Sequence, residues 1–377
     1  MAMREVAIVA TARTGLAKSF RGSFNQTRPA DMAAHCVMEV LRKTPQLDPK
    51  EIEDVIIGTG FPEGPQGFNV GRLIGLLAHL PISAGGATVN RFCGSSMQAI
   101  HMAAGAIHMN AGDAFICGGI ESMSRVPMGG YNPMPSPLLM KEMPAAYMSM
   151  GQTAENVAQR YQITRAEQEE LAVASHAKAA AAQAAGKFDA EIVAINGVTR
   201  DGCIRPGTSK EALAGLKPAF LETGTVTAGT SSPLTDGASA VLVTSEEYAR
   251  DHGLTPLARI RSIAVAGCSP DVMGLGPIGA TRKAMKRAGV TAKDLDIVEI
   301  NEAFASQAIA SMRDLEIPAE KANLDGGGIA IGHPLGATGA RITGKAAALL
   351  KREGKSLALA TQCIGGGQGI ATILEAV

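Results

Sequence analysis

An internal repeat is the feature that most constrains how this 377-residue chain can fold. Residues 47–58 read L-D-P-K-E-I-E-D-V-I-I-G, and residues 290–301 echo them as V-T-A-K-D-L-D-I-V-E-I-N. A helix introduced by a proline precedes each copy, and a glycine-rich turn from a strand into a helix follows each copy. Two segments with the same order of elements predict two related half-domains.

The two halves differ by one insertion. The apolar strand at residues 114–119 matches the segment at 357–365, and in the second half a closing strand follows at once, at residues 369–375. Its counterpart in the first half, at residues 237–245, comes only after a long intervening segment. We therefore predict an N-terminal half-domain of residues 1–119 and 229–254, an inserted loop domain of residues 120–228, and a C-terminal half-domain of residues 255–377.

Strands that alternate with helices in both halves indicate an α/β protein with mainly parallel sheets covered on both faces. Two such half-domains packed together predict a layered sandwich with pseudo-twofold symmetry. In the insertion, five prolines between residues 127 and 144 exclude long regular elements before Met150. Thr164 and Glu167 then form a capping box for a helix that ends at Gly186.

Composition excludes several classes of function. Positive and negative side chains balance at 35 each, so neither nucleic acid nor an anionic membrane is expected as a partner. Six cysteines without regular spacing or a C-x-x-C pair predict a reducing compartment and no structural metal site. No segment approaches the ~18 apolar residues of a membrane span, and no leader pattern precedes the apolar strand at residues 6–10. A bacterial cytoplasmic location is the expectation.

Two distant cysteines are the first candidates for chemistry. Cys93 lies in N-R-F-C-G-S-S, directly before a segment whose apolar residues recur with helical spacing, so its sulfur is expected at a helix N-terminus, where a thiolate is favoured. Cys363 lies in C-I-G-G-G-Q-G after an apolar strand, in a glycine run that a ligand can approach closely. The two settings predict two chemical roles for the two thiols.

Two polar residues in turns accompany these thiols. His333 stands between glycine and proline at a helix start, where a neutral imidazole suits a base near a thiol, although a lone histidine is more often a buried structural residue. Asn301 follows the strand at residues 297–300 and is either a turn former or an amide that holds a water for a developing oxyanion; Glu302 beside it can fix an imidazole or an amide. Each of Cys93, Asn301, His333 and Cys363 lies in its own turn. We expect these four turns at the carboxyl ends of strands, where sites form in such sheets.

Two further patterns have competing interpretations. The segment at residues 274–279 fits G-x-G-x-x-G, but no strand ends directly before it and no acidic residue follows at the required distance, so a helix start at Pro277 explains it better than a dinucleotide site. Seven methionines of the insertion can line an adaptable apolar tunnel for an acyl chain or fill gaps at a subunit contact, namely Met123, Met128, Met134, Met140, Met143, Met148 and Met150.

Four segments in this order, N-R-F-C-G-S-S-M-Q-A, N-E-A-F-A, G-G-G-I-A-I-G-H-P-L-G-A-T-G-A-R and C-I-G-G-G-Q-G, resemble the thiolase family. The resemblance covers essentially the whole chain and is greatest to the bacterial degradative 3-ketoacyl-CoA thiolases. It implies the thiolase-like fold, a layered αβαβα sandwich whose inserted loop domain carries the CoA site and oligomer contacts. It also implies an acetyl-CoA C-acyltransferase of fatty acid β-oxidation and lipid metabolism.

The resemblance implies a role for each motif residue. Cys93 would attack the 3-keto carbon after His333 accepts its proton, and Cys363 would exchange the proton at the acetyl α-carbon. One oxyanion hole would combine His333 with a water held by Asn301, and the other would combine the N–H groups of Cys93 and Gly365. Substrate and CoA contacts would come from three further positions, Ser232, Arg205 and Met150.

The resemblance also bears on partners and alternatives. It implies acyl-CoA and CoA as substrates with no permanently bound cofactor, and a homodimer or homotetramer that can associate with a hydratase-dehydrogenase subunit. A biosynthetic acetoacetyl-CoA thiolase is the alternative, and a non-catalytic thiolase-like scaffold is a remoter one. A β-ketoacyl synthase is disfavoured because its site has no second thiol. Two departures, Thr230-Ser231 before the serine and a short stretch at residues 196–205, leave the CoA contacts and the chain-length preference open.

Overall fold

The computed structural model of the protein describes residues 4–377. Its strands are β1 (Val6–Thr14), β2 (Ala17–Lys18), β3 (Ile52–Gly58), β4 (Ala87–Val89), β5 (Ala114–Ser122), β6 (Ile192–Val193), β7 (Thr235–Ser245), β8 (Ala258–Gly267), β9 (Ile297–Ile300), β10 (Leu357–Ile364) and β11 (Gln368–Glu375). Its helices are α1 (Pro29–Lys43), α2 (Val70–Leu77), α3 (Ser95–His108), α4 (Pro137–Glu142), α5 (Met150–Arg160), α6 (Arg165–Ala184), α7 (Lys210–Ala214), α8 (Glu246–Asp251), α9 (Gly276–Ala288), α10 (Ala305–Asp314), α11 (Gly328–Ile331) and α12 (Leu335–Glu353).

The sheet has the internal symmetry that the repeat predicts. Its main path runs β4-β3-β5-β7-β1-β8-β11-β10-β9, and the two halves meet where β1 pairs with β8. Outward from that junction, β1, β7, β5 and β3 correspond to β8, β11, β10 and β9. The two copies of the sequence repeat contain β3 and β9, which therefore hold equivalent places in the two halves.

Helices α3 and α12 form the central layer of the fold. One apolar cluster joins Met97 and Ile100 of α3 to Ile342 of α12 and to buried residues on strands of both halves. On the outer faces, α1 and α2 pack against the first half of the sheet and α9 packs against the second. The layers are therefore outer helices, the first half of the sheet, the central helices, the second half of the sheet and outer helices again, which confirms the expected αβαβα sandwich.

Glycines let the two central helices approach each other. A Cβ on Gly339 of α12 would lie 2.4 Å from the backbone nitrogen of Met97 on α3, which is far inside van der Waals contact. At the start of α12, a Cβ on Gly336 would lie 2.3 Å from the carbonyl oxygen of Ile120. Only glycine fits at these positions, so the N-terminal ends of α3 and α12 come together beside the ends of the strands.

The expectation of mainly parallel sheets is wrong. Strand β3 pairs parallel with β4 and β5, and β10 pairs parallel with β9. The pairs at the centre, β5–β7, β7–β1, β1–β8, β8–β11 and β11–β10, are all antiparallel. For β10 and β11 the reason is local, because a tight turn joins them, in which Gly366 and Gly367 have φ values of 79° and 85°, and a turn of this length cannot make a parallel crossover.

Residues 123–234 are inserted between the adjacent strands β5 and β7 and return to the sheet only at β6, which pairs parallel with the end of β1. Before Met150 this segment holds only the short helix α4 and a 3-10 turn at Pro144–Tyr147, as its prolines predict. Helix α6 begins with the predicted capping box of Thr164 and Glu167, and Gly186, with φ 69°, follows its C-terminal end. The boundaries of the three domains stay a prediction. Across residues 4–377, no helix combines the length and apolarity that crossing a bilayer requires.

Candidate active site

Cys93 lies at a sharp turn between β4 and α3. It occupies a 3-10 turn, Phe92–Gly94, that continues directly into α3. Phe92 has φ 44°, a left-handed conformation that a bulky residue rarely adopts and that is found most often at functional sites. The hydroxyl of Ser95 stabilises this turn by donating to the carbonyl of Phe92 at 2.6 Å and by accepting from the N–H of Arg91 at 2.8 Å.

The environment of Cys93 favours the neutral thiol. Burial raises the pKa of Cys93 to about 12, although the backbone N–H groups of Gly365 and of Cys93 itself face the sulfur and lower the pKa in part. The sequence predicts that the helix start favours a thiolate at Cys93. The structure differs, because burial raises the pKa of the thiol by more than the partial charge of the helix lowers it. A thiolate at Cys93 would therefore require a base that takes its proton.

Cys363 reaches the same place from the other half of the molecule. It lies inside β10, paired with Gly369 of β11, and is fully buried. The side-chain amide of Gln362, the residue before it, donates to the carbonyl oxygen of Cys93, which ties the two segments together. Burial raises the pKa of Cys363 well above its usual value, and a charge on Cys93 adds to this effect, so the two thiols are electrostatic neighbours.

His333 is held at its backbone and at one ring nitrogen. Gly332 before it has φ 116°, and a Cβ there would meet the side chain of Thr235, whose hydroxyl instead accepts the N–H of His333 at 3.1 Å. The hydroxyl of Thr338 donates to the carbonyl of Pro334 at 2.9 Å, so it must accept from Nδ1–H of His333 at 2.6 Å. This assigns the proton to Nδ1 and leaves the lone pair on Nε2.

The imidazole of His333 is therefore a neutral base. Burial lowers its pKa to about 3, and the positive charge of Arg341 lowers it further. Nε2 makes no hydrogen bond to residues 4–377, which leaves it free to take a proton. The sequence places His333 at the carboxyl end of a strand, which is wrong, because it follows the short helix α11 and precedes α12.

Both cysteines and His333 line one cavity of about 200 Å³, which we call the thiol cavity. Its other walls are mostly apolar and come from the insertion and from both halves; the side chains involved include Met123, Met150, Phe220, Met273, Phe304 and Leu335. A second cavity of about 370 Å³, here called the tail cavity, also touches Cys93 but neither His333 nor Cys363. Cys93 thus stands at the boundary between two apolar spaces.

Asn301 does not line the thiol cavity, although Ala303 and Phe304, two and three residues later, do. It is fully buried and follows β9 as predicted, and its N–H donates to the carbonyl of Thr361 at 3.0 Å. Its side-chain amide has no partner among residues 4–377, so it is available to a water or a substrate oxygen. The carboxylate of Glu302 accepts hydrogen bonds from the hydroxyl of Ser175, the side-chain amide of Asn323 and the N–H of Ile329, and among residues 4–377 it has no hydrogen bond to His333 or to the side chain of Asn301.

The other predicted contact residues divide into two groups. Met150, at the start of α5, lines both cavities, Ser232 lines the thiol cavity, and Gly365 lines the tail cavity. Arg205 is exposed and lines neither cavity, and its backbone N–H donates to Nδ1 of His176 at 3.2 Å. The structure therefore brings together Cys93, His333 and Cys363, with Arg205 outside the pocket.

Sequence reasoning missed two residues that shape the site. Thr338, which orients His333, stands one turn after Pro334, and a hydroxyl in the first turn of a helix that follows a histidine is the signal that could have found it. Glu121 has no such signal, because it lies inside β5. Its buried carboxylate accepts from the N–H of Gly60 at 2.7 Å and from the N–H of Gly336 at 2.8 Å, which joins β3 to the start of α12.

The remaining candidate features are structural. All six cysteines are free, and Cys36 and Cys117 are buried in the apolar core. In the G-x-G-x-x-G segment, Pro277 lies in the first turn of α9, and the first two residues of the segment end a 3-10 turn at Pro270–Leu275 that lies between β8 and α9. The backbone of Gly276 packs against Gln368, where a Cβ would lie 2.0 Å from its carbonyl oxygen. Close packing explains this glycine.

Comparison with known proteins shows the family of this chain. The model of the thiolase N-terminal domain matches residues 6–247, and that of the thiolase C-terminal domain matches residues 254–376. A 3-ketoacyl-CoA thiolase of Marinomonas sp. is 46% identical over 99% of this chain and 98% of its own length, and one of Shewanella loihica is 49% identical over 99% of this chain and 100% of its own. The crystal structure of an acetyl-CoA acetyltransferase of Bacillus anthracis superposes with a TM-score of 0.91 at 37% identity, covering 100% of both chains.

Proposed function

Because this chain belongs to the thiolase family, we propose that it is a 3-ketoacyl-CoA thiolase, which cleaves 3-ketoacyl-CoA with free CoA to acetyl-CoA and a shortened acyl-CoA. The observation that carries this proposal is that Cys93, His333 and Cys363 line the same cavity, the thiol cavity. The reaction needs a nucleophile, a base that takes its proton and a second group that carries a proton. Two thiols and a neutral imidazole in one cavity can supply all three.

The first half of the reaction forms an acyl-enzyme. Nε2 of His333 takes the proton of the Cys93 thiol while the sulfur attacks the 3-keto carbon. The N–H groups of Cys93 and Gly365 face the sulfur and would hold the oxygen that becomes negative. When the bond between C2 and C3 breaks, the electron pair stays on C2, and the Cys363 thiol protonates the acetyl-CoA enolate.

The second half returns every proton. The Cys363 thiolate accepts the proton of an incoming CoA thiol, and the CoA sulfur attacks the acyl carbon. The leaving sulfur of Cys93 regains its proton from the His333 imidazolium. We assign the stabilisation of the enolate oxygen to His333 together with a water held by the free amide of Asn301. Ser232 and Met150 would contact the pantetheine and acyl parts, and Arg205, exposed outside the pocket, would meet the CoA nucleotide.

The wider role is part of the same proposal. A degradative enzyme of fatty acid β-oxidation accords with the names of the relatives, and the six free cysteines accord with a cytoplasmic location. CoA is a substrate here, with no permanently bound cofactor. We also propose a homodimer or homotetramer that can join a hydratase-dehydrogenase subunit, built from the three domains predicted above.

A biosynthetic acetoacetyl-CoA thiolase is the second candidate, because the Bacillus anthracis neighbour is an acetyl-CoA acetyltransferase. It would run the same steps in reverse, with Cys363 removing the α-proton of acetyl-CoA. A non-catalytic scaffold is disfavoured, because both thiols and the imidazole line the cavity together.

The test separates the two thiols. Cys93→Ala should abolish both thiolysis and covalent labelling by a radioactive 3-ketoacyl-CoA. Cys363→Ala should still form the acyl-enzyme but fail to exchange the α-proton of acetyl-CoA with deuterated water. Equal loss of labelling in both folded variants would contradict the division of roles.

A further inference from the structure

Gln362 is a polar residue beside the site that has no role in the reaction steps above. It is fully buried and lines neither cavity, although the next residue is Cys363. Its side-chain amide meets the carbonyl oxygen of Cys93, which can only accept, so the end of the amide at that contact is Nε2. The other end, Oε1, accepts no hydrogen bond from residues 4–377.

Packing alone does not explain a glutamine at this position. A buried carbonyl oxygen without a partner is destabilising, and few such atoms occur in native proteins. Methionine has a similar length and would fill the same space without a polar atom that needs a partner. The surroundings of Oε1 therefore matter, because they determine what this atom can bind.

The register of two strands places Gln362 beside Asn301. Strands β9 and β10 pair parallel, and their last pair is Ile300 with Thr361. The N–H of Asn301 donates to the carbonyl of Thr361 at 3.0 Å, so the pairing continues past the end of β9. Gln362 and Asn301 are the next two residues along these strands and stand opposite each other.

Both side chains face the central helices. Side chains alternate between the two faces of a strand, and neighbouring strands lie ~4.8 Å apart. Ala360 belongs to the apolar cluster of the central layer, so Gln362, two residues later, faces the same layer. Ile300 belongs to the cluster on the outer face, so the following residue, Asn301, faces the central layer as well. The two side-chain amides are therefore neighbours.

The amide of Asn301 complements the free oxygen of Gln362. Neither Oδ1 nor Nδ2 of Asn301 has a partner among residues 4–377. Oδ1 points to the start of α11, where a Cβ on Gly328 would lie 2.7 Å from it, so Nδ2 points elsewhere. One water can accept from Nδ2–H and donate to Oε1 of Gln362, which satisfies both groups. The second N–H of Asn301 then stays available to the enolate side of the site.

We propose that Gln362 is a positioning residue that couples the nucleophile to the enolate side of the site. Its Nε2–H holds the turn that carries Cys93, and its Oε1 orients the amide of Asn301 through one ordered water. This inference rests on the proposed thiolase function. Because Gln362 lines neither cavity, it acts on the reaction only through these two residues, and its loss should lower kcat more than it changes KM.

Gln362→Met removes both polar contacts and keeps the length of the side chain. Acyl-enzyme formation on Cys93 and exchange of the acetyl α-proton with deuterated water should each slow about tenfold. KM for the 3-ketoacyl-CoA should stay within about twofold, because no substrate contact is lost. The urea midpoint should change little, since a lost hydrogen bond and a removed unsatisfied oxygen offset each other. Gln362→Leu is the second variant, to be used if Gln362→Met does not fold.

Gln168→Met is the matched control. Gln168 on α6 is also fully buried, its Nε2–H donates to the hydroxyl of Thr225 at 3.0 Å, and its Oε1 likewise has no partner among residues 4–377. It lines neither cavity. Gln168→Met should keep the rates of acylation and exchange within about twofold of the wild type.

A double variant tests the coupling through Asn301. Asn301→Ala should slow the exchange of the α-proton by itself. Adding Gln362→Met should then slow exchange by less than about twofold further, because the group that Gln362 orients is already gone. The same addition should still slow acylation of Cys93 about tenfold, because that contact does not involve Asn301.

The outcomes separate this inference from the proposed function. A wild-type enzyme that neither forms an acyl-enzyme nor exchanges the α-proton would end the proposed function. With an active wild type, Gln362→Met at wild-type rates, or an equal loss in Gln168→Met, would overturn the role of Gln362 alone. Fully multiplicative losses of exchange in the double variant would likewise overturn the coupling to Asn301.

Discussion

Replacing Thr338 by valine should impair His333 as a base without leaving a cavity in its place. Valine has the shape of threonine but neither accepts nor donates a hydrogen bond, so Nδ1–H of His333 loses its partner at 2.6 Å. The imidazole then has two options. It can keep its proton on Nδ1 as an unsatisfied buried donor, or it can move the proton to Nε2, where the lone pair is needed to accept the proton of Cys93.

The magnitude follows from the burial of this pair. His333 is 4% exposed and Thr338 fully buried, so water cannot easily replace the lost acceptor. An unsatisfied buried donor costs ~1–3 kcal/mol, and the change of tautomer raises the barrier by a similar amount. At 1.36 kcal/mol per tenfold change, we expect kcat/KM to fall about 10- to 100-fold.

Thr343 provides a matched control on the same helix. It is also fully buried, and its hydroxyl donates to the carbonyl four residues earlier, Gly339, at 2.7 Å, as Thr338 does to Pro334. Thr343→Val should lose ~1 kcal/mol of stability in urea unfolding but keep kcat/KM within about twofold of the wild type. Thr338→Ser keeps the hydroxyl and should restore most of the activity.

The assay is the pre-steady-state rate of acyl-enzyme formation on Cys93, combined with steady-state thiolysis. The reasoning is refuted if folded Thr338→Val acylates at the wild-type rate. It is equally refuted if Thr343→Val and Thr338→Val lose activity to the same extent, since the loss would then belong to the helix and not to the imidazole.

The remaining predictions concern acid stability and the helix contact. Burial lowers the pKa of both His101 and His333 from 6.5 to about 3, so below about pH 6.5 each of these groups contributes a loss of stability of up to ~1.4 kcal/mol per pH unit, because the unfolded chain binds its proton first. Burial also raises the pKa of Glu299 to about 8, which contributes the opposite slope over the same range. The fall in urea midpoint from pH 7 to pH 5 should therefore be smaller in His101→Gln than in the wild type, and an equal change in both proteins would be inconsistent with a neutral buried His101. Gly339→Ala should force α12 away from Met97 of α3, with a loss of ~1–3 kcal/mol and of most activity. Gly105→Ala, where a Cβ meets nothing within 4 Å, should be neutral or slightly stabilising in the same unfolding experiment, and equal losses in the two variants would argue against the close contact.

Much of the architecture was readable from the sequence because local signals and symmetry agreed. The repeat predicted equivalent places for β3 and β9, and the capping box of Thr164 and Glu167 marked the start of α6 to the residue. Strand direction was not readable in the same way. The alternation of strands and helices suggested parallel pairing, but the chain returns from β10 to β11 through a short glycine turn, and only the closed turn shows that this pair must be antiparallel.

The contents of the site were predictable where a residue type and a turn occur together, as at Cys93 and His333. Contacts that depend on the approach of the two halves were not. Glu121 reaches Gly336 across the central layer, and Thr338 matters only because the helix that carries it begins beside the histidine. No local pattern identifies a residue whose function depends on a distant partner.

The charge state of Cys93 is where local reasoning failed, because burial and not the helix start decides it. A cysteine beside a helix start is expected to be acidic, but burial raises the pKa of Cys93 to about 12. The same burial lowers the pKa of His333 to about 3. Separating charge between them is therefore unfavourable until a substrate oxygen lies at the N–H groups of Cys93 and Gly365, where developing negative charge is stabilised. The resting pair is neutral, because the mostly apolar walls of the thiol cavity bury both groups. Reactivity of Cys93 should thus depend on bound substrate more than on pH.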